Sequence, residues 1–272
     1  MLALAAPRVW AQGEAASRPL RLGVLPITST RVLLRNYQHV QAYLQRRLGQ
    51  PVELETAPDF QTFHRHTLDQ RYDLVVTAPH LGRHAEMDAG FVPLARYSAP
   101  HRTLIVMAKA RPVRNVEELR GANLASIDSL TLAATESAAW LRARGLQAGT
   151  DYAIVYTPTP AAAAHALING QALLAVSSPQ GLMNTPRELR EQIEPLVSMP
   201  EMPSLLWVGH GRLGKRLPAV KEALLELAGD VADGRAFFEA TGYQGLREVQ
   251  IAELKAVDVH LPRLRGLMGT AR

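Results

Sequence analysis

Short apolar runs alternate with helix-like patterns along residues 20–90. Three of these runs are typical of buried strands, namely residues 20–26, 52–56 and 73–77. After each run, apolar residues recur at helical spacing, and Gly49 and Gly90 stand where the first and third helices should end. Asp59 stands where it can cap the second helix. This β-α order predicts a largely parallel sheet flanked by helices.

A second unit of the same kind follows over residues 104–200. The apolar run at residues 103–108 should leave the first unit, and residues 205–208 should return to it as a strand. Between them the pattern predicts the strands 123–127, 151–156 and 172–176. Two helical patterns of this unit end at Gly145 and Gly170.

The two units predict two α/β lobes, each a mixed, mostly parallel sheet with helices on its faces. Lobe 1 should contain residues 20–102 and 204–272, with a helical tail from Pro218 onward. Lobe 2 should contain residues 103–203 and is inserted into lobe 1. Residues 1–19 are then a signal remnant and a lead-in rather than part of either lobe.

Residues 1–11 are small and apolar and end in Val-Trp-Ala, a pattern typical of the segment before a signal-peptidase site. The positively charged start of a secretion signal is missing, and a Pro-Arg pair interrupts the apolar part. We expect the tail of a signal whose start lies upstream, or a short atypical signal. A disordered terminus is the alternative.

The composition narrows the classes of function. Of 272 residues, 47% are hydrophobic, which is enough for a large core. The absence of cysteine excludes disulfides, thiolate metal sites and a cysteine nucleophile. The net charge of +5 comes mostly from scattered arginines, whereas a nucleic-acid binder would show a basic stripe with interleaved aromatics. A basic surface can still attract an anionic ligand.

Four predicted strand-to-helix junctions carry short hydroxyl side chains. The candidate ligand-binding residues at these junctions are Thr28 and Ser29; Thr77, Ala78 and Pro79; Ser129 and Thr131; and Ser177. Helix N-termini attract anions through free amides and a partial positive charge, and hydroxyls add further donors. One such junction alone is an ordinary helix cap. Four at the same end of two sheets predict a shared cleft that holds a small oxyanion.

His80 and Arg102 are candidate auxiliary ligands. Arg102 stands where the chain should cross between lobes, and its guanidinium can hold an anion through two hydrogen bonds. A solvated hinge charge is an equal alternative for Arg102. The pair of His80 and His84 has the spacing of a zinc site, but no carboxylate lies at metal-ligand spacing nearby. We therefore expect His80 to form hydrogen bonds in the pocket and predict no metal ligand.

Motifs for catalysis or cofactor binding are weak. Residues 209–215 copy the spacing of a phosphate-binding P-loop, but Arg216 stands where that motif needs Ser or Thr. Neither a dinucleotide-binding fingerprint nor the G-x-S-x-G nucleophile motif occurs. Asp128 and Glu136 do not form a convincing acid–base pair, and Asp128 is better explained as a helix cap. The sequence therefore predicts no cofactor and no enzyme activity.

The order of several segments resembles the PhnD-like phosphate-, phosphite- and phosphonate-binding proteins that serve ABC importers in the bacterial periplasm. The matching segments run from residue 20 to residue 211 and include LRLGVLP, RYDLVVTAP, VRNVEELRGANLAS and ALINGQALLAVSS. The resemblance implies a periplasmic-binding-protein fold of the second type. Such a fold has two α/β lobes, two crossover segments and a ligand trapped by hinge closure.

The resemblance also assigns roles to residues. Ser129 and Thr131 match the hydroxyl pair that holds the phosphonate in the family, and residues 77–79 match its strand-end loop. The chain departs from the pattern in three places. Residues 126–128 and 132–133 flank the hydroxyl pair where the family usually has Pro and Gly. Gly82 stands where the family often has a tyrosine, and Ser177 stands where relatives that hold an amino group tend to have an acid. The resemblance therefore disfavours an aminoalkylphosphonate and leaves a smaller or differently shaped anion, or an unrelated ligand, open.

These observations together predict a secreted, periplasmic solute-binding protein of an ABC importer. It should capture a small oxyanion of the phosphate, phosphite or phosphonate type between its lobes and deliver it to a membrane ABC permease. We expect a monomer that needs no cofactor and binds no nucleic acid. The alternatives are a ligand-sensing domain for a signalling partner and, less favoured, an enzyme on the same fold.

Overall fold

The structure is a computed structural model that describes residues 18–229 and 231–269. The predicted signal remnant at residues 1–11 lies outside the described residues. Within the described part, no helix is long and apolar enough to cross a membrane.

The described residues form eleven strands and eleven α-helices. The strands are β1 (Leu20–Val24), β2 (Val52–Glu55), β3 (Leu74–Thr77), β4 (Phe91–Tyr97), β5 (His101–Ala108), β6 (Asn123–Ser126), β7 (Ala153–Tyr156), β8 (Leu174–Ser177), β9 (Ile193–Met202), β10 (Leu206–His210) and β11 (Leu246–Arg247). The helices are α1 (Thr30–Leu48), α2 (Phe60–Leu68), α3 (Pro79–Ala89), α4 (Leu132–Arg142), α5 (Pro160–Ile168), α6 (Pro179–Met183), α7 (Arg187–Arg190), α8 (Leu217–Leu227), α9 (Ala232–Thr241), α10 (Ile251–Lys255) and α11 (Leu261–Met268). Short 3-10 turns lie at Val116–Leu119, Gly211–Arg216 and Asp258–His260.

Lobe 1 is built on a six-stranded sheet with the order β11-β4-β10-β3-β1-β2. Strands β1, β2 and β3 pair in parallel, whereas β10 runs antiparallel to both β3 and β4. Alternate residues of β3 face opposite cores: Leu74 and Val76 pack under α1, α8 and α9, and Val75 packs under α2 and α3. The lobe is therefore a sheet covered by helices on both faces.

Lobe 2 is built on a five-stranded sheet with the order β7-β6-β8-β5-β9. Strands β6, β7 and β8 are parallel, and β5 is antiparallel to both of its neighbours. In each sheet, four strands share one direction. The prediction of two α/β lobes with mixed, mostly parallel sheets is confirmed. The chain crosses between the lobes after β4 and again after β9, through residues 98–100 and 203–205.

Local capping positions the helices that point at the space between the lobes. Asp59 caps α2 as predicted, since its Oδ1 accepts a hydrogen bond from the Thr62 amide at 2.6 Å. The prediction that Asp128 caps α4 is wrong. Thr131 is the cap of α4, because the chain first makes a turn in which the Asp128 carboxylate accepts from the Leu130 amide at 2.7 Å.

Candidate functional site

A cavity of about 150 Å³ lies between the two lobes. It is lined by the loops that follow β1, β3, β6 and β8 and by the second crossover segment. In α/β sheets, ligands bind outside the carboxyl ends of the strands, where these loops lie. The cavity is therefore the candidate ligand site.

Lobe 2 gives the cavity a wall with hydroxyl and amide side chains, which we call the polar wall. Its polar members are Ser126, Thr131, Ser177, Ser178, Gln180 and Asn184. Ser126 is 2% exposed, and its Oγ has no hydrogen-bond partner among the described residues. Since buried hydroxyls are normally paired, this one is a ready donor to a molecule in the cavity.

The polar wall also contains the N-terminus of α4. The Thr131 hydroxyl accepts a hydrogen bond from the Ala134 amide at 3.0 Å and so satisfies one of the free amides of the first turn. Leu132 and Ala133 follow directly and line the cavity. Their amides lie in the first turn, where no carbonyl of the helix can accept from them. Together with the helix dipole, they make this end of the cavity attractive to an anion.

Lobe 1 gives the cavity a wall of hydrocarbon, which we call the apolar wall. Its members are Leu25, Ile27, Phe60, Ala78, Pro79 and Leu205. Two polar groups adjoin it, Ser204 in the crossover segment and Tyr243 after α9. The phenol of Tyr243 stays neutral because burial raises its pKa well above the usual value.

No residue that lines the cavity in the described part of the chain is an Asp, Glu, Lys or Arg. His101 does line it, and burial lowers the pKa of its imidazole to about 4, so that the ring is neutral at neutral pH. Its Nε2 lies 3.1 Å from the Thr103 hydroxyl, which in turn donates to Glu136. An anion in this cavity would thus be stabilised by helix dipoles, amides and hydroxyls rather than by a charged side chain.

Direct contacts between the lobes surround the cavity. The His80 Nε2 of lobe 1 donates to the Leu130 carbonyl of lobe 2 at 3.0 Å. The Leu130 side chain packs in the lobe 1 core with Phe60. On another side, the Gln180 Nε2 of lobe 2 donates to the Thr241 carbonyl of lobe 1 at 2.6 Å. These contacts join the two lobes on two sides of the cavity.

Four of the ten predicted site residues line the cavity: Ala78, Pro79, Thr131 and Ser177. The other six do not line it: Thr28, Ser29, Thr77, His80, Arg102 and Ser129. The side chains of Thr77 and His80 are buried, and Thr77 packs beside Gly82. Arg102 forms an ion pair with Glu201 at 2.5 Å across the β5–β9 ladder.

Sequence reasoning missed several residues that line the cavity. Ser126 is the last residue of β6, and the rule that ligands bind at strand ends would have identified it. Ser178 directly follows the predicted Ser177 and caps α6 by accepting from the Gly181 amide at 3.1 Å. His101 and Gln180 had no signal of their own in the sequence, because their place at the cavity depends on how the lobes meet.

The two histidines with the spacing of a zinc site have other partners: His80 bonds to the Leu130 carbonyl, and His84 bonds to His64 and Asp88. His64 Nε2 and His84 Nδ1 lie 2.9 Å apart, and His84 Nε2 lies 3.0 Å from the Asp88 carboxylate. In residues 18–229 and 231–269, no group of three or more His, Cys, Asp or Glu side chains is arranged to hold a metal ion.

Comparisons with known proteins agree with this geometry. A family model described as "ABC transporter, phosphonate, periplasmic substrate-binding protein" matches residues 22–254. A sequence comparison with curated proteins finds no match.

Solved structures share the fold at low sequence identity. PhnD1 from Prochlorococcus marinus in complex with methylphosphonate has a TM-score of 0.78 and 14% identity, covering 90% of this chain and 98% of that chain. A binding protein component of an ABC phosphonate transporter from Pseudomonas aeruginosa has a TM-score of 0.75 and 14% identity, covering 92% and 98%. XAC2383 from Xanthomonas citri bound to chloride has a TM-score of 0.77 and 16% identity, covering 91% and 99%.

Proposed function

Because the chain belongs to the periplasmic substrate-binding proteins of phosphonate ABC transporters, we propose that it captures a small oxyanion between its lobes and delivers it to a membrane permease. The ligand is of the phosphate, phosphite or phosphonate type. The protein works in the periplasm as a monomer, has no cofactor, binds no nucleic acid and releases its ligand unchanged.

One observation carries the proposal. The Ser126 hydroxyl, which is buried and has no partner in the described part of the chain, lines the same cavity between the lobes as the first turn of α4. An oxyanion has several acceptor oxygens and no donor that must be paired when it is fully ionised. It therefore matches a set of free hydroxyls and amides better than a neutral or cationic solute does. The residues that we assign to this contact are Ser126, Thr131, Ser177 and Ser178, with Ala78 and Pro79 on the opposite side.

Capture follows from the connection between the lobes. Only two crossover segments join them, and a ligand that touches both walls favours the closed arrangement by its difference in affinity for the closed and open states. His80 and Gln180 support closure through their hydrogen bonds across the gap. Closure of this kind presents one surface to a permease only when ligand is held.

Titration calorimetry and thermal denaturation with phosphate, phosphite, methylphosphonate and sulfate test the proposal, with glycerol as an uncharged control. At least one oxyanion should bind, and at one hundred times its Kd it should raise the free energy of unfolding by about 2.7 kcal/mol. Phosphorus NMR of the recovered ligand should show no new species. If all four oxyanions behave like glycerol, the proposal is wrong.

A further inference from the structure

Leu130 belongs to lobe 2, but its side chain lies in the core of lobe 1. It is 3% exposed and belongs to a hydrophobic cluster with Phe60 of α2, Leu81 of α3 and Leu264 of α11. Among the described residues, it is the one member of that cluster that comes from lobe 2. We infer that Leu130 is a positioning residue for oxyanion binding, a role that rests on the proposed function and deepens it. It anchors lobe 2 to lobe 1 and so sets the place of the polar wall.

The backbone of Leu130 is held by lobe 1 as well. Its carbonyl accepts a hydrogen bond from His80 Nε2 at 3.0 Å, and His80 is itself buried. Separation of the lobes would break this hydrogen bond and expose the leucine side chain in the same movement. Both contacts of Leu130 with lobe 1 therefore favour the form in which the lobes meet.

A tight turn connects this anchor to the proposed oxyanion contacts. The Asp128 carboxylate accepts from the Leu130 amide at 2.7 Å, and the Asp128 carbonyl accepts from the Thr131 hydroxyl at 3.1 Å. Thr131 caps α4 on one side of the turn, and Ser126 ends β6 on the other. Because the turn is short and internally bonded, the place of Leu130 in lobe 1 determines where the Ser126 hydroxyl and the first turn of α4 stand in the cavity.

The turn itself does not require a leucine. Turns favour small polar residues, such as Asp128, Ser129 and Thr131 around it. The hydrogen bonds of this turn use only the backbone of Leu130, which any residue other than proline would supply. Burial in lobe 1 is therefore what the leucine side chain contributes.

Burial of Leu130 should stabilise the closed form and slow its opening. Fully burying a leucine side chain shifts such an equilibrium by roughly 10- to 150-fold. Because the ligand touches both walls only in the closed form, the affinity falls with the population of that form. Because release requires opening, the loss of the anchor appears as faster dissociation rather than as slower association.

Leu130→Ala tests the anchor, with the tightest binder among phosphate, phosphite, methylphosphonate and sulfate as the probe. Calorimetry should show a Kd at least about tenfold higher than that of the unmodified protein. Stopped-flow kinetics should show a dissociation rate constant raised by a similar factor and an association rate constant that is nearly unchanged. Leu130→Met, which keeps the side-chain volume, should retain most of the affinity.

Leu119→Ala is the matched control. Leu119 lies in lobe 2 and is fully buried, but it packs in the core of its own lobe. Its replacement should lower the urea midpoint of unfolding and leave the Kd and the dissociation rate of the folded protein unchanged. Leu130→Val removes less of the side chain and should raise the Kd by about fourfold. It provides the measurement if Leu130→Ala does not fold.

The outcomes separate this inference from the proposed function. If the unmodified protein binds an oxyanion and the Leu130 variants bind it as tightly, the inference is overturned and the oxyanion function stands. Weaker binding through slower association, or an equal loss in Leu119→Ala, overturns it too. If the unmodified protein binds none of the four oxyanions, the proposed function fails and the inference fails with it. Faster dissociation in Leu130→Ala and Leu130→Val, but not in Leu119→Ala, supports the inference.

Discussion

Replacing Ser126 by alanine should weaken oxyanion binding without destabilising the fold. The Ser126 hydroxyl is buried, has no partner in the described structure and lines the cavity. In the bound state we expect it to donate to an anionic oxygen. The Ser126→Ala variant removes that donor and leaves the backbone of β6 unchanged.

The expected magnitude follows from the kind of hydrogen bond that is lost. A hydrogen bond to a charged group contributes about 1.5–3 kcal/mol, which corresponds to a Kd roughly 10- to 150-fold weaker in the variant. The hydroxyl makes no hydrogen bond to the described residues, so its removal breaks no bond within this part of the protein. The free energy of unfolding should therefore change by less than about 1 kcal/mol or rise slightly.

Ser137→Ala is the matched control. Ser137 lies on α4, is 1% exposed and also has a hydroxyl without a partner in residues 18–229 and 231–269, but it does not line the cavity. Calorimetry should show weaker binding in Ser126→Ala alone, and urea denaturation should show similar stabilities for both variants. If the two variants bind the oxyanion equally well, Ser126 is not a ligand contact and the reasoning from its unpaired hydroxyl is wrong.

Three further predictions concern closure, pH and capping. Gln180→Ala removes the hydrogen bond to the Thr241 carbonyl and should favour the open form, so that ligand binding measured by calorimetry is about two- to tenfold weaker. If both the affinity and the small-angle scattering profile of the variant are unchanged, Gln180 has no role in closure. Burial lowers the pKa of His80 to about 3, below the value in the unfolded chain. The neutral ring therefore contributes its full stabilisation above about pH 6.5. As the pH falls from there toward about 3, the free energy of unfolding decreases by up to about 1.4 kcal/mol per pH unit. Urea denaturation at pH 7 and pH 5 should therefore show a smaller acid loss in His80→Gln, and an equal loss in both proteins would refute the assignment. Asp59→Ala should lower the free energy of unfolding by about 1 kcal/mol through loss of the α2 cap, and no change in the urea midpoint would argue against that cap.

Two of the three strands that sequence reasoning missed, β4 and β9, contain proline; the third is the two-residue β11 in the tail that was predicted to be helical. Strand β4 has Pro93 and β9 has Pro195 and Pro200, and proline argues against a strand because it cannot donate to the ladder. The structure tolerates them for topological reasons. Strand β9 is at the edge of its sheet, and the short β11 pairs with β4 only beyond Pro93, at Arg96 and Tyr97. Sheet position is a property of the whole fold, which the local pattern does not contain.

Loops were easier to predict than the direction of their side chains. The sequence predicts that the loop after β3 reaches the ligand site, and Ala78 and Pro79 of this loop line the cavity. It could not show that Thr77 faces the other way. A Cβ on Gly82 would lie 3.2 Å from the Thr77 Cγ2, so the threonine side chain is packed against α3. The orientation of one strand-end residue depends on register and packing in the assembled sheet.

The role of His80 shows the same limit. The sequence predicts that His80 forms hydrogen bonds in the pocket, whereas the structure buries it with its Nε2 on the Leu130 carbonyl of the other lobe. That contact joins residues 50 positions apart and exists only when the lobes meet. Hydrophobic patterns along the chain define each lobe, whereas contacts between lobes require the three-dimensional arrangement.

A crystal structure of the protein with saturating methylphosphonate tests the central claim most directly. The account predicts the phosphonate between the lobes, with its oxygens within hydrogen-bond distance of the Ser126 hydroxyl and of the amides of Leu132 and Ala133. A ligand bound outside this cavity, or bound in it with its oxygens away from the Ser126 hydroxyl and from these amides, would contradict the account.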